Sequence, residues 1–402
     1  MEKNKDLKGV FTHLPLEDVY YGADSIKHLS TAIKNLKINR ALLITSKTLS
    51  RKTDLVERVI ANSGGRIVAV FDETVQHVHR ESVLSAIKLG KSKNVDGIIT
   101  FGGGTANDTG KIAAAGISAD FNNDGDFDHY RVKFQYPDNI EIPSFPNQIM
   151  PIIAIPTTLS AGEFTHFAGV TDAARKVKDL FIDKKLSAKV IILDAKLTLE
   201  TPQWLWLSSG IRALDHCVES LCSSTAHPFT DALASHSLTL LNENLRKNNE
   251  RESDLVVRTN CQLASWLSVC GLANVTLGMS HGIGHQLGAR NDVPHGYTSC
   301  VMMVPTMVFN KEHVGDRQKL IANLMNIDTT NLTLDEASQS GRKAISKLIS
   351  DLSLPVRLRD VGVATDDFPF LAKDALEDLI VATNPRPVKS MEEIIQLLND
   401  AW

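Results

Sequence analysis

Four histidines and one arginine in the second half of the chain have residue types and spacing that could support chemistry. His281, His285 and His295 fall within the segment SHGIGHQLGARNDVPHG, and the first two are one helical turn apart. His216 lies upstream in the helical stretch SSGIRALDHCVES, and Arg212 precedes it on the same helical face. Three imidazoles that converge from two helices are typical of a divalent-metal site. The plainer alternative is hydrogen-bonded core histidines, which this dense spacing disfavours.

The segment FGGGTANDTGK at 101–111 combines consecutive glycines with residues that can begin a helix. Glycines let the backbone pass close to a ligand, and Thr105 or Asn107 could cap the new helix. Amide groups at a helix start form an anion site that suits a pyrophosphate. A purely structural turn is the alternative, which Asp108 and Lys111 disfavour. The sequence therefore predicts nucleotide binding, although not through the GxGxxG pattern of an ordinary Rossmann dehydrogenase.

A second turn, PTTLSAGEFT, offers hydroxyl groups to the same ligand. Thr157 and Thr158 could hydrogen bond a nicotinamide amide or a ribose, or they could only close a turn. Lys178 could place a cation near a ribose or phosphate, unless it belongs to a solvated face. We predict that the nicotinamide lies beside Thr157–Leu159. The residues predicted to bind the cofactor are Ser46, Gly102, Gly103, Gly104, Thr105, Asp108, Thr157, Thr158, Leu159 and Lys178.

The elements that must position these residues change character near residue 200. Before it, short apolar runs alternate with helical periodicity, which predicts βαβ units and a parallel sheet covered on both faces. The predicted core strands are 41–46, RIVAVFD, DGIITF, 150–156 and 190–194. Helical periodicity then dominates, notably over 203–221, 228–245, 253–270 and 334–352. The predicted class is α/β plus all-α, with a dinucleotide-binding domain over 1–200 and an all-helical metal or substrate domain over 201–402.

Length and composition agree with a two-domain enzyme. A chain of 402 residues exceeds what one hydrophobic core usually covers. The net charge of −4 gives no footprint for nucleic acid or an anionic membrane. No apolar run is long enough to cross a bilayer, and MEKNKDLKGVF lacks a signal-peptide core. Five cysteines without a CxxC pair suit reduced thiols, so we expect a cytoplasmic enzyme. We expect its substrate to be a small molecule.

The Asp-, Asn- and Pro-rich segment at 117–147 interrupts the alternation and is predicted to be a surface excursion. Asp120, Asp124 and Asp128 mimic early positions of a calcium-binding EF-hand loop. The twelfth position, however, is Arg131 instead of the bidentate glutamate. A solvated turn is therefore favoured over calcium binding.

Four motifs occur in the order seen in the iron-containing (group III) alcohol dehydrogenases: GGGTANDTGK, PTTLSAGEFT, GIRALDHCVE and HGIGHQLGARNDVPHG. The sequence resembles that family over essentially its whole length, and its PTTLSAGEFT form looks most like the maleylacetate reductase branch. The resemblance implies a dehydroquinate synthase-like fold with a cleft between the two domains. It also implies hydride transfer between NAD or NADP and a carbonyl or alcohol.

The resemblance implies metal ligands at His216, His281 and His295. Arg212, however, stands where typical members carry an aspartate that helps to bind Fe²⁺ or Zn²⁺. At an effective dielectric constant near 20, a unit charge about 4 Å from a divalent ion is worth roughly 8 kcal/mol, so this exchange disfavours metal by about 16 kcal/mol at most. Three histidines alone can bind zinc, and the arginine could turn towards acidic neighbours on its own helix. The balance favours an enzyme that binds metal weakly or not at all.

In the favoured interpretation, Arg212 clamps a substrate carboxylate through two hydrogen bonds, as guanidinium geometry allows. The resemblance places His285 near the reacting carbon, and His285 or His216 then manages the proton. This predicts an NAD(P)-dependent reductase of a carbonyl or unsaturated oxo acid. The alternatives are a metal-dependent alcohol dehydrogenase, a dehydroquinate synthase-type lyase and a nucleotide-binding relative without catalysis.

Cofactor preference and assembly complete the predictions. Many NAD-specific family members carry aspartate where this chain has Ser46, and an aspartate repels the 2′-phosphate of NADP. Ser46 followed by Lys47 therefore predicts a preference for NADPH or dual specificity. The predicted edge strand at 17–22 leaves backbone groups that family members often bury against a second subunit, so we expect a homo-oligomer, a dimer or larger.

Overall fold

The computed structural model describes residues 8–135 and 139–402. Residues 1–7, which include most of the segment searched for a signal peptide, and residues 136–138 of the excursion lie outside the described residues. The strands are β1 (Asp18–Tyr21), β2 (Ala41–Ile44), β3 (Ile67–Phe71), β4 (Gly97–Gly102), β5 (Lys133–Gln135), β6 (Asn139–Glu141), β7 (Ile152–Pro156), β8 (Phe167–Asp172), β9 (Val177–Ile182) and β10 (Val190–Leu193).

A six-stranded sheet in the order β1-β10-β7-β4-β2-β3 forms the core of the first half, and its strand pairs are all parallel. The predicted α/β class is confirmed. Strands β2, β4 and β7 are neighbouring parallel strands, so the turns that follow them lie next to one another at the carboxyl ends of the strands. Doubly wound folds bind their ligands at these ends. Ser46 after β2, the glycine turn (residues 102–104) after β4 and the threonine turn (residues 157–159) after β7 therefore lie side by side.

Helices cover the sheet and form the second half. They are α1 (Leu29–Asn35), α2 (Lys47–Lys52), α3 (Leu55–Ala61), α4 (Arg80–Ser92), α5 (Gly104–Ser118), α6 (Asp126–Tyr130), α7 (Gln203–Cys222), α8 (Pro228–Glu250), α9 (Leu255–Val269), α10 (Met279–Asn291), α11 (His295–Leu324), α12 (Leu334–Asp351), α13 (Phe368–Leu376), α14 (Leu379–Ala382) and α15 (Met391–Ala401). The predicted all-helical second half is confirmed. Within the described residues, no helix has the length and apolarity needed to span a bilayer.

Alternate residues of β2 show why the sheet needs helices on both faces. Leu42 and Ile44 belong to the hydrophobic cluster that includes α4 and α5. Ala41 and Leu43 belong to a second cluster, on the opposite face, with α1 and α3. Since successive side chains of a strand point to opposite faces, a strand buried on both sides is apolar throughout.

The excursion after α5, which was predicted to be a surface segment, contains α6 and the antiparallel strand pair β5–β6. Its acidic side chains form ion pairs with basic side chains of the same chain. Lys91 Nζ lies 2.6 Å from Asp120 Oδ1, and the Arg80 guanidinium contacts Asp124 and Asp128 at 2.9 Å each. Three acidic residues of the EF-hand-like spacing therefore form ion pairs within the chain.

Candidate active site

The glycine turn between β4 and α5 leaves its backbone accessible. Gly102 has a φ of +146°, a conformation that side chains disfavour. A Cβ on Gly103 would lie 3.1 Å from Thr158 Cγ2. Helix α5 begins at Gly104, and no side chain caps it. The first amides of α5 thus remain free to bind an anion, which fits a dinucleotide pyrophosphate.

The prediction that Thr105 or Asn107 caps this helix is wrong, because the helix begins before both residues. Asn107 instead accepts a hydrogen bond from Thr100 Oγ1 at 2.7 Å and donates one to Glu163 Oε2 at 3.1 Å. Burial raises the pKa of the Glu163 carboxyl to about 7. Asn107 and Glu163 therefore connect α5 to the turn that follows β7. Neither was predicted to have this role.

The threonine turn after β7 joins the sheet to the helical domain. Thr157 N donates to Gly102 O at 2.9 Å, and Thr158 Oγ1 donates to Ser160 Oγ at 3.3 Å. Leu159 N donates to Ser209 Oγ at 2.9 Å, while its side chain is fully buried in the helical-domain core. Thr157 and Thr158 thus lie next to the glycine turn, whereas the Leu159 side chain faces away from it.

Ser46 lies at the corresponding end of β2. Its hydroxyl accepts a hydrogen bond from Leu49 N at 3.3 Å and caps α2. Lys47 Nζ lies 3.4 Å from Glu73 Oε1, and both of these side chains are more than half exposed. The predicted 2′-phosphate region therefore contains an exposed cation, Lys47, together with an acidic neighbour, Glu73, that was not predicted.

Lys178 and Asp108 both contact Gly169 of the β8–β9 hairpin. Asp108 Oδ2 accepts a hydrogen bond from Gly169 N at 3.0 Å. The Lys178 side chain crosses Gly169, because a Cβ there would lie 2.1 Å from Lys178 Cε and 3.1 Å from Nζ. Burial lowers the pKa of Lys178, and Arg212 lowers it further, whereas Asp108 opposes the change.

Arg212 is buried on α7, with 3% of its surface exposed. Its Nη1 donates to Ser299 Oγ at 3.1 Å, and that is its one hydrogen bond within the described residues. Burial lowers the pKa of Arg212 to about 10, although Asp215 and Glu219 oppose this change. The guanidinium therefore retains donors for a ligand and has its counter-charges on its own helix.

The four histidines form two pairs. The rings of His216 and His281 have centroids 4.7 Å apart, and those of His285 and His295 stack at 5.7 Å. Burial lowers the pKa of all four, and Arg212 strengthens the effect. All four imidazoles are therefore expected to be neutral at pH 7.

His216, His281 and His295 do not by themselves form a group whose donor atoms lie close enough together to hold a metal ion. Within the described residues, one group of metal-binding side chains has donor atoms within 4.8 Å of one another, namely Asp215, Glu219 and His281. His281 Nδ1 bonds Glu219 Oε2 at 2.7 Å, which leaves Nε2 as its one free donor atom, and Asp215 Oδ2 accepts from Ser280 Oγ at 2.7 Å. With a buried guanidinium beside them, these residues do not fit a site of one aspartate and three histidines.

Three residues of the site were not predicted from the sequence. Ser280 and Ser299 neighbour the motif histidines and bind Asp215 and Arg212 respectively. Asp378 comes from a distant segment, and its Oδ2 lies 3.8 Å from His285 Nδ1. Adjacency to the motifs could have flagged the two serines, whereas nothing in the sequence points to Asp378.

Comparison with known proteins identifies the family. Residues 17–195 match the iron-containing alcohol dehydrogenase profile, and residues 206–402 match the C-terminal profile of the Fe-containing alcohol dehydrogenase family. The chain belongs to the iron-containing alcohol dehydrogenase family. It is therefore an oxidoreductase of a family that transfers hydride between a nicotinamide cofactor and an alcohol or carbonyl compound.

Similar proteins cover almost the whole chain. An NAD-dependent methanol dehydrogenase from Bacillus methanolicus is 31% identical, over 94% of this chain and 97% of that protein. Lactaldehyde reductase from Escherichia coli K12 is 30% identical, over 96% and 98% respectively. The crystal structure of a 1,3-propanediol oxidoreductase superposes with a TM-score of 0.89 at 30% identity, covering 98% of this chain and all of that one.

The maleylacetate reductase branch also has a structural neighbour. Maleylacetate reductase from Agrobacterium tumefaciens superposes with a TM-score of 0.78, covering 98% of each chain. Its sequence identity is 23%, so this likeness shows the shared fold alone. The 1,3-propanediol oxidoreductase structure is more similar to this chain by both TM-score and sequence identity.

Proposed function

We propose that this member of the family reduces a carbonyl compound without a metal ion, and that Arg212 provides the positive charge at that place in the site. The observation that carries the proposal is the buried guanidinium, hydrogen bonded to Ser299 and close enough to four histidines to lower their pKa values. A divalent ion in the same pocket would face strong repulsion from this fixed charge.

The chain's own residues would orient the substrate and manage the proton. Arg212 would donate two parallel hydrogen bonds to a substrate carboxylate, an arrangement that guanidinium geometry favours. His285 holds the proton for the substrate oxygen, and Asp378 lies near its other side at 3.8 Å. His216 is the second candidate for this role. A nicotinamide cofactor, when bound, supplies the hydride.

The cofactor residues are proposed on the same basis. The free amides at the start of α5 would bind the pyrophosphate, with Gly102, Gly103, Gly104, Thr105 and Asp108 forming the turn. Thr157 and Thr158 lie beside this turn and would meet the nicotinamide end. Lys47 supports use of NADPH, whereas Glu73 beside it supports NADH, so we propose dual specificity that leans towards NADPH.

The test is an NADPH-oxidation screen over aldehydes, ketones and unsaturated oxo acids, run with and without a chelator, together with metal analysis of the purified enzyme. We expect less than stoichiometric metal and activity that survives chelation. Stoichiometric iron or zinc, with activity abolished by the chelator, would contradict the proposal.

A metal-dependent alcohol dehydrogenase is the second candidate. One observation favours it: His281 Nε2 is buried without a hydrogen-bond partner, while its Nδ1 bonds Glu219. A carboxylate behind a histidine is the usual support for a metal-binding imidazole. Under this alternative, His216, His281 and His295 would bind Fe²⁺ or Zn²⁺ and Arg212 would turn away.

We also propose a location and an assembly state for the enzyme. The described cysteines are all free thiols, which suits a cytoplasmic enzyme. The exposed edge strand β1 suits a homo-oligomer, with a small molecule as the substrate.

A further inference from the structure

The loop between β3 and α4 holds His77 in a strained backbone conformation. His77 and Val78 have φ angles of +62° and +59°, in the left-handed region that a β-branched residue such as valine rarely adopts. Strand β8 holds the backbone there, because Thr171 Oγ1 donates to His77 O and Thr171 N donates to Val78 O, both at 2.7 Å. Such strain costs free energy and persists only where surrounding contacts maintain it, which makes this loop a candidate for a specific role.

The His77 side chain extends from this loop of the nucleotide-binding domain to α10 of the helical domain. A Cβ on Gly288 of α10 would lie 2.9 Å from His77 Cε1 and 3.0 Å from Nδ1, so the imidazole packs against the helix at a glycine. His77 Nε2 lies 3.2 Å from Oδ1 of Asp292, the residue at the end of α10. Burial lowers the pKa of His77 to about 4, so a neutral imidazole makes this contact at pH 7.

The segment that His77 contacts leads directly to two of the site histidines. Gly288 lies on the helix that carries His285, and α11 begins at His295, shortly after Asp292. The rings of His285 and His295 stack with their centroids 5.7 Å apart. A contact that fixes the end of α10 therefore also fixes the position of both rings.

We propose that His77 is a positioning residue for hydride transfer, because it fixes the turn between α10 and α11, and with it His285 and His295, relative to the nucleotide-binding domain. The nicotinamide and the groups around the substrate carbonyl come from different domains, and a misplacement of about 1 Å can cost on the order of 100-fold in rate. This rests on the proposed function in so far as the histidines meet the substrate.

The test compares His77→Ala with Gly288→Ala, which displaces the imidazole from the other side of the same contact. A double variant carries both changes and leaves the added methyl group without an imidazole to meet. His79→Ala and Gly341→Ala are the matched controls. His79 is the neighbouring histidine, and its side chain does not cap α4. A Cβ on Gly341 would lie 3.1 Å from Ala322 Cβ, a contact within the helical domain alone.

Three properties are measured for each variant. They are the kcat and KM for reduction of propanal and of 4-oxobutanoate with NADPH, the Kd of NADPH by fluorescence titration, and the hydrogen exchange of the backbone amides at 288–295. The exchange measurement needs neither cofactor nor substrate, so it tests the contact without turnover.

In His77→Ala and in Gly288→Ala, we expect kcat to fall about tenfold or more, because the reacting groups lose their alignment across the cleft. The Kd of NADPH should stay at the wild-type value, and exchange at 288–295 should become faster. The double variant should have a kcat no lower than that of His77→Ala. His77→Asn should recover part of the lost kcat, since asparagine keeps a donor and tolerates the left-handed backbone. Both controls should keep the wild-type kcat.

Unchanged exchange at 288–295 in His77→Ala would overturn the proposal by itself. Weaker NADPH binding with an unchanged kcat would also overturn it, because His77 would then be a cofactor residue. An equal loss of kcat in Gly341→Ala would do the same, since it would indicate general loosening of the helical domain. Loss of activity on chelation, in the wild type and the variants alike, would contradict the metal-free mechanism alone, because this test depends on ratios between variants.

Discussion

The neighbours of Arg212 explain how a guanidinium can occupy this part of the fold. Asp215 and Glu219 lie on the same helix and are fully buried, and burial raises the pKa of both carboxyls. Arg212 opposes that change and so keeps their negative charge more favourable. Glu219 is further held by the amides of Gly278 and Ser280 at 2.8 Å. The pocket thus contains its own cation and its own counter-charges.

Arg212→Asp should convert the site towards metal binding. The change removes the repulsive charge and adds a carboxylate on the same helical face as His216. We expect the variant to gain zinc or iron on metal analysis. The KM for a carboxylate substrate should rise strongly, because loss of a buried charged pair commonly costs about 2–5 kcal/mol.

Arg212→Met is the matched control for this conversion. It removes the charge without supplying a ligand, so carboxylate affinity should fall while metal content stays near that of the wild type. Equal metal uptake by the methionine and aspartate variants would show that repulsion alone, and not the missing ligand, keeps metal away.

Ser46 and Lys47 should allow the enzyme to use NADPH. We expect a kcat/KM with NADPH at least equal to that with NADH, because Ser46 does not repel the 2′-phosphate and Lys47 can move from Glu73 to bind it. Glu73→Gln should increase the ratio further by releasing Lys47. Steady-state kinetics with both cofactors check this, and a strong NADH preference in the wild type would contradict it.

The residue types of the site were predictable, but their partners were not. The spacing of His281, His285 and His295 indicated a functional cluster from the sequence. The observed pairing of His216 with His281, and of His285 with His295, depends on how α7, α10 and α11 pack. Sequence spacing constrains neighbours only within one helix, so contacts between helices had to come from the structure.

Among the elements, α10 gains its central position from its glycines. A Cβ at Gly282 would lie 2.4 Å from Val381 Cγ2, and one at Gly288 would lie 2.9 Å from His77 Cε1. At Gly284, it would lie 2.8 Å from Thr298 Oγ1. Each glycine thus lets another segment approach the helix that carries His281 and His285.

The glycine turn gives a prediction about cofactor binding. Gly103→Val should abolish binding of NADPH and NADH, because the side chain would occupy the space beside Thr158 and block approach of the pyrophosphate. The helical domain should remain folded, since the turn belongs to the other domain. Fluorescence titration and circular dichroism check the two parts.

A second substitution distinguishes a blocked site from a displaced neighbour. Adding Thr158→Ala to Gly103→Val relieves the internal contact but leaves the valine in the turn. Recovery of cofactor affinity in the double variant would indicate that displacement of Thr158, and not blocked access of the pyrophosphate, caused the loss.

Arg80 connects α4, the excursion and the β8–β9 hairpin. Its guanidinium contacts Asp179 Oδ2 at 2.7 Å, and both side chains are less than 5% exposed. Arg80→Met should therefore lower the free energy of unfolding by about 2–3 kcal/mol, because it removes the most buried cation beside Asp179 and leaves that carboxylate to the more exposed Arg175 and Arg131. Arg131→Met, which removes a partly exposed partner of Asp128, should cost about 1 kcal/mol or less. Denaturant unfolding measures both.

The same cluster predicts a dependence on pH. Burial alone would raise the pKa values of Asp128 and Asp172, but hydrogen bonds from arginines lower them below the ordinary value. Carboxyls with a lowered folded-state pKa stabilise the protein above their unfolded pKa of about 3.9, and this stabilisation is lost as the pH falls through the folded value. The difference between wild type and Arg80→Met should therefore shrink below about pH 4. A constant difference down to pH 2 would contradict this explanation.

The strands of the parallel sheet were predictable because each is apolar throughout, as VIIL in β10 is. The β8–β9 hairpin was not predicted, and β9 shows why: Lys178 and Asp179 interrupt its apolar pattern. Asp179 pairs with Arg80, which lies far away in sequence, and the Lys178 side chain lies across Gly169 of β8. Polar residues with structural partners thus interrupt the apolar pattern from which a strand is recognised in the sequence.

At the scale of the whole molecule, the site depends on the joint between the halves of the chain. Leu159 N donates to Ser209 Oγ on α7, and Ser265 Oγ on α9 donates to Leu159 O at 3.0 Å. Since Thr157 and Thr158 immediately precede Leu159, these bonds fix the threonine turn relative to α7 and Arg212. A domain boundary near residue 200 stays a prediction, consistent with the end of β10 at Leu193 and the start of α7 at Gln203.

Assembly is the remaining prediction at this scale. Strand β1 pairs with β10 on one side and forms an edge of the sheet, and Tyr21 at its end is 62% exposed. An edge strand with an exposed aromatic side chain is a template for pairing with a second chain. We expect light scattering to give the mass of a dimer or larger.

Tyr21→Lys should shift the protein towards monomer without unfolding it, because a charge on an edge strand opposes pairing. A monomeric wild type at all concentrations would contradict this prediction, and a dimer unaffected by the substitution would place the interface elsewhere.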